Sequence, residues 1–114
     1  MASEIKVDTI VNAGGDNDSG IDLGTNDAVK VTIAGSEKAR FDSNGHLLVS
    51  KTSTGIGTVG AELKSSGELL ATVSGDACAF LNRTSSDGDI VDFRKDGTTV
   101  GNIKTRGGEF IAVG

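Results

Sequence analysis

A chain of 114 residues makes one domain at most, or a piece of something longer. Its net charge of −5 argues against a nucleic-acid partner, which calls for a basic patch or stripe. One Cys allows no intrachain disulfide, no apolar run is long enough to span a bilayer, and the start, Met1 to Lys6, lacks the apolar segment of a signal peptide.

The order of the chain is that of short strands and turns. Residues 2–12 alternate, with Ile5 and Val7 on one side and Glu4, Lys6 and Asp8 on the other, which predicts a half-buried strand. Asn12 to Gly20 is a long turn-forming stretch. Ile21-Asp22-Leu23 reads as a short edge piece, and Gly24 to Asp27 as a turn. From Ala28 to Ala34, Val29, Val31 and Ile33 are expected inward and Lys30 and Thr32 outward. Gly35-Ser36-Glu37 then turns the chain.

Next comes Ala39-Arg40-Phe41-Asp42-Ser43-Asn44-Gly45-His46-Leu47-Leu48-Val49. Asn44-Gly45 is a strong signal for a two-residue type I′ hairpin, since both residues accept positive φ. That loop would set Phe41 opposite Leu48. The same spacing would pair Leu63 with Leu70 around Ser66-Gly67, and Phe93 with Val100 around Asp96-Gly97. Between the first two hairpins, Gly55, Gly57 and Gly60 suggest close backbone approach, such as at a symmetry axis. A turn at Gly75-Asp76 would pair Val73 with Cys78 and Ala71 with Phe80, leaving Cys78 as a buried filler. Asp87-Gly88 leads into Asp89 to Phe93, and a Gly107-Gly108 turn leads to Phe110, Ile111 and Val113. No segment keeps a helical period for ten residues, so the chain is read as all-β.

Leu, Ile, Val and Phe make about a quarter of the sequence, above the disordered range. There is no Trp or Tyr, however, with only four Phe among 17 Gly. Hairpins presenting one apolar face each need a further surface to close against, and identical chains around a symmetry axis supply it. An obligate homo-oligomer follows. The apolar ending, Phe110 to Val113, would be a liability unless paired, which suggests that a longer protein continues.

The segment Ala2-Ser3-Glu4-Ile5-Lys6-Val7-Asp8-Thr9-Ile10-Val11-Asn12 resembles the opening of tail fibres of tailed bacteriophages, particularly marine ones. His46 to Gly55, Phe80 to Gly97 and Val100 to Ile103 resemble their repeating segments; residues 13–35 resemble them least. The resemblance implies an elongated, intertwined homotrimeric β-fibre, prism-like or helix-like. Such a fibre is a virion component assembled in the bacterial cytoplasm. It is anchored to tail or baseplate proteins at its N-terminal end and binds host glycan or protein through a C-terminal tip. Neither a tip nor the family's self-cleaving chaperone domain is visible before Gly114.

The candidate sites are weighed against plainer readings. His46, the only histidine, reads as a solvated turn residue; the competing reading is a metal on a three-fold axis, one His46 from each chain. Gly15 to Asp22 alternates oxygen ligands as calcium loops do, but Ile21 stands at the EF-hand glycine position, so an Asx-rich turn is preferred. Gly55-x-Gly57-x-x-Gly60 lacks the strand-to-helix context of a dinucleotide site. Asp87, Asp89 and Asp92 could suggest paired carboxylates for glycan cleavage, but Asp is expected beside a turn. Arg94, Lys95, Lys104 and Arg106 would form cross-strand pairs with them. Asn17-Asp18-Ser19 and Asn82-Arg83-Thr84 match the glycosylation sequon by chance. No catalytic residue, cofactor or metal is expected.

The reading is therefore a structural fibre segment without enzymatic activity. Residues 2–34 would attach to the virion and residues 35–114 would form the repetitive shaft. Phe41, Leu48, Leu63, Leu70, Phe93 and Val100 would make the trimer core. A host-binding adhesin module and a capsid-decorating head fibre are the alternatives.

Overall fold

The structure is a computed structural model that describes residues 2–107 and the backbone of residues 110–113. It is all-β, as expected, and among the described residues no helix is long and apolar enough to cross a membrane. The chain divides into two compact units, Met1–Cys78 and Ala79–Gly114.

The first unit is a seven-stranded antiparallel meander in which every strand pairs with its sequence neighbour. Its strands are β1 (Thr9–Val11), β2 (Gly20–Asp22), β3 (Val29–Ile33), β4 (Ser36–Phe41), β5 (Leu47–Val49), β6 (Gly60–Leu63) and β7 (Leu69–Thr72). The second unit is a three-stranded sheet with β9 (Thr98–Arg106) between β8 (Asp89–Lys95) and β10 (Phe110–Val113). The expected strand over residues 2–12 is shorter: only Thr9–Val11 is strand, with one further bond from the Leu23 N–H to the Asp8 carbonyl. β2 is not an edge but lies between β1 and β3. The expected boundary at residue 34 falls inside the β3–β4 hairpin, where Ala34 and Gly35 both have positive φ.

All three hairpin registers differ from expectation, two through turn chemistry and one through a bulge. In the β4–β5 hairpin, Gly45 alone of the turn residues has positive φ (79°), and its N–H donates to the Asp42 carbonyl. Asp42 Oδ1 accepts from the N–H groups of Asn44 and His46, both at 3.0 Å. An aspartate that captures these amides favours a three-residue loop ending in a left-handed glycine over the two-residue type I′ turn. Phe41 therefore faces Leu47, and Leu48 faces Arg40.

The β6–β7 hairpin repeats the arrangement. Gly67 (φ 99°) donates to the Lys64 carbonyl, so Leu63 faces Leu69 and Leu70 faces Glu62. A shift of one residue moves a side chain to the opposite face. Leu48 and Leu70 thus lie on the face away from Phe41 and Leu63.

Asp96-Gly97 is the two-residue turn expected, with both φ positive (51° and 82°). A bulge just beyond it sets Phe93 opposite Gly101 instead of Val100. The expected pairing around Gly75-Asp76 does not form: β7 stops at Thr72, and residues 73–88 contain no strand. Cys78 is exposed, not a buried filler. The Gly107-Gly108 turn extends past the described residues, as do the side chains of Phe110, Ile111 and Val113.

Candidate interaction surface

The two faces of the seven-stranded sheet differ in kind. On one face, Cα registers align Thr9, Asp22, Lys30, Arg40, Leu48, Glu62 and Leu70 in a row across all seven strands. This face is closed in its middle by the ten-residue connection from β5 to β6, which acts as a strap. Leu48 is 0% exposed and is the only fully buried hydrophobic side chain among the described residues; Glu62 is 1% exposed.

A buried ion pair latches the strap. Lys51 Nζ donates to Glu62 Oε1 and to the Gly55 carbonyl, each at 2.7 Å, and the Gly55 N–H donates to the same Glu62 oxygen at 2.7 Å. Thr72 Oγ1 adds a bond to the Ile56 carbonyl at 2.6 Å. The Lys51 ammonium and the Gly55 N–H hold the Glu62 carboxyl below the usual Glu value of 4.5, against the opposing effect of burial. Close approach, expected at the strap glycines, is found within the chain at Gly60. A Cβ there would lie 2.7 Å from the Val49 carbonyl oxygen, whereas at Gly55 and Gly57 it would meet nothing within 4 Å.

The other face is apolar and open. Its inner row runs Ile10, Ile21, Val31, Ala39, Val49, Ala61 and Ala71, in register from β1 to β7. Beside it, Val29, Phe41, Leu47, Leu63 and Leu69 form a bulkier row. None of these residues carries charge. Phe41 is 51% exposed, Leu63 47% and Leu69 76%, and the expected inward set Val29, Val31 and Ile33 is equally open in the single chain. Soluble monomers seldom leave an apolar patch larger than about 300–600 Å² uncovered.

Of the six residues expected in the trimer core, Phe41 and Leu63 lie on this open face. Leu48 and Leu70 lie on the strap side, and Phe93 and Val100 are half to two-thirds exposed in the second unit. Leu47 and Leu69, each beside one of the residues named, are the face members that pattern reading missed.

The turns along the sheet margins are bonded to each other. Ala34 and Gly35 donate to Ser19 Oγ and the Asp18 carbonyl. His46 Nδ1 accepts from the Ser65 N–H at 2.9 Å, tying the two glycine-ended turns together. His46 is thus a turn-to-turn acceptor and not simply solvated. The Gly15 to Asp22 stretch behaves as Asx turns: Asp16 Oδ1 accepts from the Asp18 N–H and Asp22 Oδ1 from the Gly24 N–H. No group of three or more candidate ligands for a metal occurs among the described residues.

In the second unit, Arg83, Ser86, Asp87 and Thr105 line an open cleft of about 560 Å³. Asp87 Oδ2 there accepts from the Gly107 N–H at 2.7 Å. Asp92 is held low by Arg94 and Thr99. Arg94 pairs with Asp92 two residues along its own strand, and Lys95 with Asp96 in the turn, rather than across strands. Asp87 and Asp92 therefore hold backbone and strand partners, which is the turn reading of the cluster. No known protein family, curated protein or solved structure matches this chain.

Proposed function

We propose that the chain is a structural segment of a bacteriophage tail fibre, homotrimeric and β-rich, that joins the tail to a host-recognition tip. The tail-fibre assignment rests on the resemblance of residues 2–12, 46–55 and 80–97, and one structural observation supports the association that it requires. The seven-stranded meander leaves an entire apolar face open while its own buried hydrophobic core is Leu48 alone. Such a sheet is completed by other chains, and a rod of stacked strands and short turns transmits force without needing a catalytic site.

The residue sizes on the open face support three copies. Two facing sheets lie about 10 Å apart along their whole width and need large side chains throughout. Where three flat faces surround an axis, the line nearest the axis is the most crowded. From β4 to β7 the inner row is Ala39, Val49, Ala61 and Ala71, which suits that line, and Phe41, Leu47, Leu63 and Leu69 suit the wider space beside it. Residues 2–34 serve as the attachment portion, and the repeated turns after them as shaft.

Electron microscopy of phage particles labelled with antibody raised against this chain tests the proposal. Gold along the tail appendages is expected. Label confined to the head, or absent from particles, would contradict it.

A further inference from the structure

The fibre reading places copies around the open face; the following rests on that reading and assigns how the copies meet there. The chain offers several surfaces: two sheet faces, the free edges of β1 and β7, and the second unit. We infer that copies meet through the open apolar face of the seven-stranded sheet, like face on like face, with the inner row of one copy against the inner row of the next.

Area supports this choice. From ordinary residue sizes, the exposed fractions of the large side chains on this face amount to on the order of 900 Å², close to the roughly 800 Å² that one partner contributes to a stable interface. Charge supports it too. Each copy carries a net charge of −5, so copies repel at long range. The strand residues of these two rows are the part of the sheet where contact brings no charges together.

The face also lacks what recognition of a different protein needs. It presents neither ionised groups nor side-chain hydrogen-bonding groups along its two rows, and charge complementarity of that kind is a main source of specificity for a foreign partner. What it does present is a fixed strand spacing and, from β4 to β7, an inner row of Ala39, Val49, Ala61 and Ala71 beside the larger Phe41, Leu47, Leu63 and Leu69. A surface of the same period fits that relief, and a second copy has it. The strap blocks the middle of the opposite face, where Lys51 and Glu62 are already sealed against each other over Leu48.

Ala39 is the informative position. It lies in the inner row on β4, the middle strand of the seven, so copies stacked like on like bring Ala39 near its own counterpart whether they run parallel or antiparallel. Facing sheets lie about 10 Å apart, beyond the Cα separation of about 4.4–6.8 Å that a disulfide requires, so a bismaleimide with a short linker is used to join the cysteines. The test uses the full chain with Cys78→Ser, carrying either Ala39→Cys or Lys30→Cys, the latter on the opposite face. Native mass is measured first, then reaction with the bismaleimide, then denaturing electrophoresis.

The expected result is an assembled chain in which Ala39→Cys goes largely to linked chains and Lys30→Cys stays single. If the chain assembles but Lys30→Cys links preferentially, or neither links, the assignment of this face is overturned while association itself stands. Ala61→Cys, in the same row on β6, guards against a local fault at position 39. If the chain is a monomer at every concentration, both the face assignment and the fibre reading fall.

Discussion

Leu48 and Glu62 carry much of the first unit's integrity. Truncating a fully buried leucine removes its transfer free energy and leaves a cavity, so Leu48→Ala is expected to cost about 2–5 kcal/mol by denaturant unfolding. The same change at Leu63, half exposed in the single chain, costs far less in stability unless copies are assembled. Denaturant unfolding of the two variants at several protein concentrations distinguishes these contributions, because a contribution from assembly shifts with concentration.

Glu62 makes stability depend on pH. Its carboxyl is held low in the folded chain by Lys51 and the Gly55 N–H. A depressed folded value stabilises above the ordinary Glu value of 4.5, and that contribution is lost as pH falls through the folded value. Thermal unfolding of the wild type should therefore be level near neutrality and fall in acid below about pH 4.5. Glu62→Gln should start lower at pH 7 and lose less on acidification; an unchanged acid slope would contradict the latch. His46 gives a second residue-level test. His46→Phe removes the acceptor for the Ser65 N–H and should cost about 1 kcal/mol, whereas His46→Asn, which can present an oxygen near the Nδ1 position, should recover part of it.

At the scale of elements, strand existence was largely legible and register was not. β3, β5, β6, β8 and β9 lie where alternating residues and bounding glycines placed them, because side-chain alternation and positive-φ turns are local properties. The slip at Phe41–Leu47 was hidden because it depends on Asp42 capturing two amides, a competition between a side chain and the backbone that spacing alone does not reveal. The Phe93–Gly101 pairing was hidden for a related reason, a bulge inside a hairpin whose turn was read correctly.

The strap was the least legible element. Lys51 and Glu62 are eleven residues apart and joined by a glycine-rich connection, with no periodicity linking them. The strap also predicts a contrast between glycines. Gly60 combines a φ of 128° with the Val49 carbonyl close behind it, while Gly57 has open space and no positive φ. Gly60→Ala should destabilise by on the order of 1–3 kcal/mol, and Gly57→Ala should be near neutral or slightly stabilising. Equal effects in circular-dichroism melts would show that the strap does not sit against β5 as described.

At the scale of the whole molecule, composition alone indicates a small core. A quarter of large aliphatic and Phe residues, with no Trp or Tyr, is enough to clothe one face of a sheet but not to fill a thick interior. The sheet shows where that material lies: Leu48 and the strap close one face, and most of the remaining aliphatic bulk of the strands of the first unit is spread over the other. The face itself was only half legible, since the residues expected to share it were divided between two faces by the one-residue slip. Assembly should also restore what the single chain lacks. The open face is expected to become protected and the melting temperature to rise with protein concentration, because association stabilises by mass action.

The native mass, measured by light scattering on a size-exclusion column across a range of concentrations, tests the central claim most directly. The account predicts a mass three times that of the 11.5 kDa chain, persisting on dilution. A stable monomer with its apolar face exposed would contradict it.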